Sequence, residues 1–153
     1  MKINHLAKHP HTIPTLAAWV YAQWGHWMPA DITPKIITRE YEKRTIPGCI
    51  PETFVAVEGD APLGTASLVI HDMAERRDLS PWLAAVYVAP EFRNQGVGSA
   101  LVQAVLDEAQ ALGVERLYLF TPDKMSFYGR LGWQVLEHRE HRGTDVTVMV
   151  YEF

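Results

Sequence analysis

The stretch PEFRNQGVGSAL, residues 90–101, puts two glycines one residue apart between an apolar run and an apolar, helix-like segment. Glycine lets successive backbone N–H groups converge, and a helix N-terminus behind them adds partial positive charge. The chemistry such a junction offers is the binding of a phosphate. Two common phosphate motifs are excluded by residue type. A P-loop needs Lys and then Ser or Thr directly after its second glycine, whereas Gly98 is followed by Ser99 and Ala100. A dinucleotide fingerprint needs a third glycine and an acidic residue about 20 positions on, at the end of the next strand. The next strand-like run here ends in Phe120 and Thr121. The histidines outside residue 71, at His5, His9, His11, His26, His138 and His141, show no metal spacing, and no metal is expected.

The elements that position this junction follow from periodicity and breakers. A short strand is expected at Lys2–Leu6, then a helix within HPHTIPTLAAWVYAQWGHWMP, where Leu16, Trp19, Val20 and Gln23 fall at helical spacing. A second helix is expected from about Pro34 to Lys43, closed by the breaker PGCIP. TFVAVEG and PLGTASLVIHD read as a hairpin, MAERRDLSP as a surface loop, and WLAAVYV as a strand buried on both faces. Beyond the glycines, Leu101, Val102, Val105, Leu106, Ala109 and Leu112 form one stripe of a helix spanning Ser99–Leu112, with Gly113 as its stop. RLYLF is a strand, and Asp123 caps a helix over Lys124–Leu131 that Gly132 ends. WQVLEHRE and DVTVMVYEF close the chain as strands around a turn at HRGT. The order implies a single α+β (mixed α/β) domain over residues 1–153 with one helical crossover.

Composition sets the outer limits. The chain has 153 residues, 48% hydrophobic, which suits one core and not two. A formal net charge of -4 makes nucleic acid or an anionic membrane an unexpected partner. One cysteine, Cys49, fits a reducing compartment, and neither a signal-like N-terminus nor a membrane-length apolar run is present. The expectation is a cytoplasmic protein, either a monomer or a homodimer paired through the edge of VTVMVYEF.

With these elements in place, VYVAPEFRNQGVGSALVQAVLDEA resembles the acetyl-CoA motif of the GNAT superfamily of N-acetyltransferases: Arg or Gln, two residues, Gly, one residue, then Gly or Ala. Arg93, Gly96 and Gly98 fill those places. FYGRLGW, Phe127 to Trp133, is similar to the family's second feature, an aromatic and a Tyr followed after three residues by Gly and an aromatic. The resemblance covers roughly residues 53–153 and implies a central, mostly antiparallel sheet of six to seven strands flanked by about four helices. It also implies acetyl-CoA as cosubstrate. The pyrophosphate would lie on the loop of Arg93, Asn94, Gln95, Gly96, Val97, Gly98 and Ser99. The pantetheine would run along the backbone of Val86, Tyr87 and Val88 towards Thr121.

The reaction implied is transfer of acetyl to a primary amine of a small molecule or a peptide N-terminus. Tyr128 is the candidate acid for the leaving thiolate, and a backbone N–H such as that of Val86 would stabilise the oxyanion. Many relatives carry a Glu near the place of Ala84, which cannot take a proton, so deprotonation must go by another route: Asp72 and His71 first, or else a residue of the first helices or a water chain. Trp24 and Trp27 are expected to line the acceptor site. A module that binds acyl-CoA without turnover is the alternative.

Overall fold

The computed structural model describes residues 1–153. Its strands are β1 (Lys2–His5), β2 (Glu52–Glu58), β3 (Ala61–Val69), β4 (Trp82–Val88), β5 (Arg116–Thr121), β6 (Gln134–His141) and β7 (Thr144–Glu152). Its helices are α1 (Ile13–Trp24), α2 (Pro34–Glu42), α3 (Val97–Ala111) and α4 (Met125–Arg130). All seven strands form one sheet in the order β1-β2-β3-β4-β5-β7-β6. The family-like architecture expected from the motifs, a mostly antiparallel seven-stranded sheet with four helices, is the one observed.

Each face of the sheet has its own core. On one face, α3 buries Leu101, Val102, Val105, Leu106 and Ala109 against Phe54, Ala56, Ala66, Leu68 and Leu83. On the other, Leu16, Ala17 and Val20 of α1 and Ile37 and Tyr41 of α2 pack on Val55 and Val57. The helical stripe of α3 is as expected except at Leu112, which caps the helix and is exposed.

The one parallel pair, β4 with β5, is joined only near its start, where Trp82 is in register with Tyr118. Past that point the two strands splay, since no later pairing links them. On the other side, the register of β4 with β3 slips between Thr65 and Ser67, so Thr65 faces Tyr87 while Ser67 faces Ala84. Ala85 sits in this bulge with φ of 51°. An extra residue reverses the alternation of the pleat. Trp82 and Ala84 therefore share a face with Ala85 and with Tyr87, which packs on Trp19 and Trp24 of α1, while Leu83, Val86 and Val88 face α3.

This corrects the reading of WLAAVYV as buried throughout: Trp82, Leu83 and Ala84 are buried, but Ala85 to Val88 are only half-buried because the splay opens beside them. Four other expectations change. The first helical stretch begins as tight single turns, and the α-helix starts at Ile13. MAERRDLSP is not only surface, because Met73 and Leu79 are buried against Trp82. Asp123 does not cap α4; the Lys124 N–H donates to Thr121 Oγ1 at 2.9 Å. β7 is interior to the sheet and β6 supplies the edge.

Candidate active site

The glycine-bearing loop opens a groove of about 550 Å³ lined by Val86, Tyr87, Val88, Phe92, Arg93, Asn94, Gly96, Val97, Gly98, Ser99 and Phe127, among others. No N–H from Asn94 to Gly96 has a partner within the protein, and the helical ladder begins only with Ala100 N–H to the Gly96 carbonyl at 3.1 Å. Six successive N–H groups, Asn94 to Ser99, thus precede the first helical bond and form an anion-binding nest at the positive end of α3. Gly96 has φ of +83° and Asn94 φ of 61°, which turns the loop into the helix. At Gly98 an added Cβ would meet only Phe127 at 3.5 Å and Val88 at 3.7 Å, ordinary contact distances. The fold itself does not require glycine there; what a side chain would fill is the groove.

Arg93 is tied to its own strand. Its Nε donates to the Val88 carbonyl at 2.8 Å, and its guanidinium lies 5.5 Å from the centre of the Tyr87 ring. Gln95 turns away, donating to the Glu91 carbonyl at 3.3 Å, and does not line the groove.

A second cavity of about 310 Å³ lies between α1, β4, β5 and the β6–β7 turn. Val86, Asp123, Lys124 and Tyr128 line both spaces, so the groove and the cavity meet there. Tyr128 is 8% exposed and packs against Phe127 and Trp133 at ring distances of 5.0 and 6.1 Å. Burial, helped by the nearby Asp123 carboxylate, raises its phenol above the ordinary range. The hydroxyl is therefore a neutral donor across the physiological range.

Trp24 and Trp27 line the cavity with Met28, Phe120 and Ala84. Asp72 also lines it, while His71 is exposed outside it. The Asp72 carboxylate has no hydrogen-bond partner in the protein, and it is enclosed by protein on most sides while still open to the cavity. Burial raises its pKa to about 7, against the opposing pull of Arg44 and Arg142. Arg44 is itself held by Ser67 Oγ at 3.2 Å and by the Tyr41 ring. Thr121 lines the cavity as well, its hydroxyl engaged at the start of α4.

Sequence reasoning did not single out three residues that the cavity contains or depends on: His141, Arg142 and Glu75. His141 is 4% exposed, and its Nδ1 lies 2.9 and 3.0 Å from the two carboxylate oxygens of Glu75. Its ring packs edge-on to Phe120 at 4.9 Å and Trp27 at 5.3 Å. Because 66 positions separate His141 from Glu75, no local spacing signals the pair. The turn HRGT is the one legible part: Arg142 and Gly143 both have positive φ, as a two-residue hairpin turn requires.

Comparison with known proteins is consistent with this geometry. N-alpha-acetyltransferase 30 of Schizosaccharomyces pombe is 33% identical over 85 residues, 53% of this chain. The match spans 56% of that relative's own length. Among solved structures, the ribosomal-protein-alanine N-acetyltransferase of Brucella melitensis superposes with a TM-score of 0.78 at 20% identity, covering 100% of both chains. YncA of Salmonella typhimurium, solved with its cofactor acetyl-CoA, gives 0.76 at 20% identity over 99% of this chain and 93% of that one. The model of the acetyltransferase (GNAT) family matches residues 13–133, the span that holds the nest, the splayed strands and Tyr128, and the chain belongs to that family.

Proposed function

We propose that the protein transfers an acetyl group from acetyl-CoA to a primary amine, on a small molecule or at a peptide N-terminus. The observation that carries this reading is the meeting of groove and cavity at Val86 and Tyr128. A donor on the nest and an acceptor in the cavity would come together only there.

Acetyl-CoA, when bound, supplies an activated acetyl thioester. The residues fit it: the free N–H groups of Asn94 to Ser99 suit its pyrophosphate, and the gap left by Gly98 admits close approach. The splay beyond Trp82 leaves the strand backbone at Val86 to Val88 beside the groove for an extended arm. As the amine nitrogen forms the new C–N bond and the C–S bond breaks, Tyr128 would donate a hydrogen bond to the departing sulfur, which takes up the proton the nitrogen loses and leaves as the free thiol. The second role of Tyr128 is to shape the junction. Asp72, unpartnered and facing the cavity, pairs with the ammonium form of the acceptor. The aromatic walls of Trp24, Trp27 and Phe120 suit a cationic or apolar acceptor of modest size.

The test is release of free thiol from acetyl-CoA against a panel of amines, peptides with free N-termini and lysine peptides. Turnover with any of them supports the reading and names the acceptor class. Acetyl-CoA binding by calorimetry with no turnover across the panel identifies a binding module instead.

A further inference from the structure

An amine must lose a proton before it can attack a thioester, and the ionised Asp72 opposes that loss, since a carboxylate beside an ammonium favours the charged form. A neutral proton acceptor on the same cavity removes the conflict, and His141 has the geometry of one. Glu75 engages Nδ1 at 2.9 Å, which fixes Nδ1 as the protonated nitrogen and leaves the lone pair on Nε2. Nε2 has no protein partner, and it is not among the buried polar atoms sealed from solvent, while His141 itself lines the cavity. The cavity that His141 lines is the space where the acceptor would sit.

Glu75 is held in place for this. Its turn, residues 74–76, follows the buried Met73, and the neighbouring Arg76 pairs with Asp78 at 3.0 Å and with Glu137 of β6. Two aromatic rings, Trp27 and Phe120, pack edge-on against the imidazole and fix its plane. The charged groups around it are Glu75 at its Nδ1, Arg139 near Glu75, Arg142 next in the chain, and Asp72, Asp123 and Lys124 on the same cavity.

We infer that His141 is the proton acceptor of the acceptor cavity and Glu75 its positioning residue. Nε2 takes one proton from the acceptor's ammonium, giving an imidazolium paired with the Glu75 carboxylate and a neutral amine. The imidazolium returns that proton to bulk water after the product leaves. This rests on the acetyl-transfer reading above.

Two measurements test it. In the first, ¹⁵N NMR follows His141 as pH is varied in the protein without substrates. The expected result is an Nδ1–H tautomer whose titration midpoint falls by about one pH unit in Glu75→Gln. An Nε2–H tautomer, or a midpoint that Glu75→Gln leaves in place, overturns the inference whether or not an acceptor is known. In the second, kcat is followed against pH at saturating acceptor. His141→Gln is expected to lower it about 100-fold and remove the acidic limb, with acetyl-CoA affinity unchanged. His141→Ala is expected to recover rate when free imidazole is added, which a packing role would not produce. An acidic limb that survives in His141→Gln and disappears in Asp72→Asn overturns the inference and leaves acetyl transfer standing. A wild-type protein that binds acetyl-CoA without turnover fails the acetyl-transfer reading instead.

Discussion

Trp27 and Arg142 hold each other by two reciprocal bonds: the indole Nε1 donates to the Arg142 carbonyl at 3.1 Å, and the Arg142 guanidinium donates to the Trp27 carbonyl at 3.1 Å. The pair joins the exit of α1 to the β6–β7 turn across 115 positions and closes one side of the acceptor cavity. Each bond is worth about 1 kcal/mol. Trp27→Phe and Arg142→Ala are each expected to raise acceptor KM about 5-fold while the acetyl-CoA Kd stays put. Steady-state kinetics with calorimetry checks this, and equal losses in both affinities would show that the clasp supports the whole site.

The two glycines of the nest separate by stability. Gly98→Val is expected to raise the acetyl-CoA Kd at least 10-fold with Tm nearly unchanged, because the new side chain enters the groove and not the core. Gly96→Ala is expected to cost about 1–2 kcal/mol of stability from its positive φ. Calorimetric titration and thermal melts of the two variants check the split.

Tyr128→Phe is expected to lower kcat about 100-fold with acetyl-CoA binding within a factor of two. Because burial and Asp123 keep the phenol protonated well into the alkaline range, no loss of rate below pH 9 is expected from its ionisation. A wild-type rate in Tyr128→Phe would leave the ring a packing role only.

Asp72 links pH to stability. Its pKa is raised from 3.8 to about 7 in the folded protein, so the folded state binds the proton more tightly than the unfolded chain. Stability from this group is fully present below about pH 4 and falls as pH rises through 7, by at most about 4 kcal/mol at 1.36 kcal/mol per pH unit. Asp72→Asn is therefore expected to stabilise the protein at pH 8 and to change it little at pH 4. Denaturant melts at the two pH values check the sign, and an acceptor KM that rises in the same variant marks its role in binding.

How much of this was legible in the sequence depends on how local each feature is. The nest declares itself because a positive φ at residue 96 and an open approach at 98 are backbone demands met by glycine at fixed offsets. Tyr128 is legible through its neighbours, since the turn that seats its helix needs Gly132 at φ of +98° just before Trp133. Asp72 is legible as a polar residue after a strand, but its burial, and the opposing charges of Arg44 and Arg142, arise from parts of the chain far from it in sequence. His141 and Glu75 are invisible for the same reason at greater distance. The bulge at Ala85 is hidden for a different one: alanine carries no preference for the positive φ that it adopts, so only the mismatch of β3 with β4 reveals it.

That single unpaired alanine also divides one strand between two clients. Up to and including it, Leu83, Ala84 and Ala85 line the acceptor cavity; beyond it, Tyr87 and Val88 line the donor groove, and Val86 between them lines both. Selectivity for the acyl donor and selectivity for the acceptor are thereby written on the two halves of the same seven-residue segment, with Val86 as the letter they share. An engineer, or natural drift, can rewrite one half without editing the other, except at Val86.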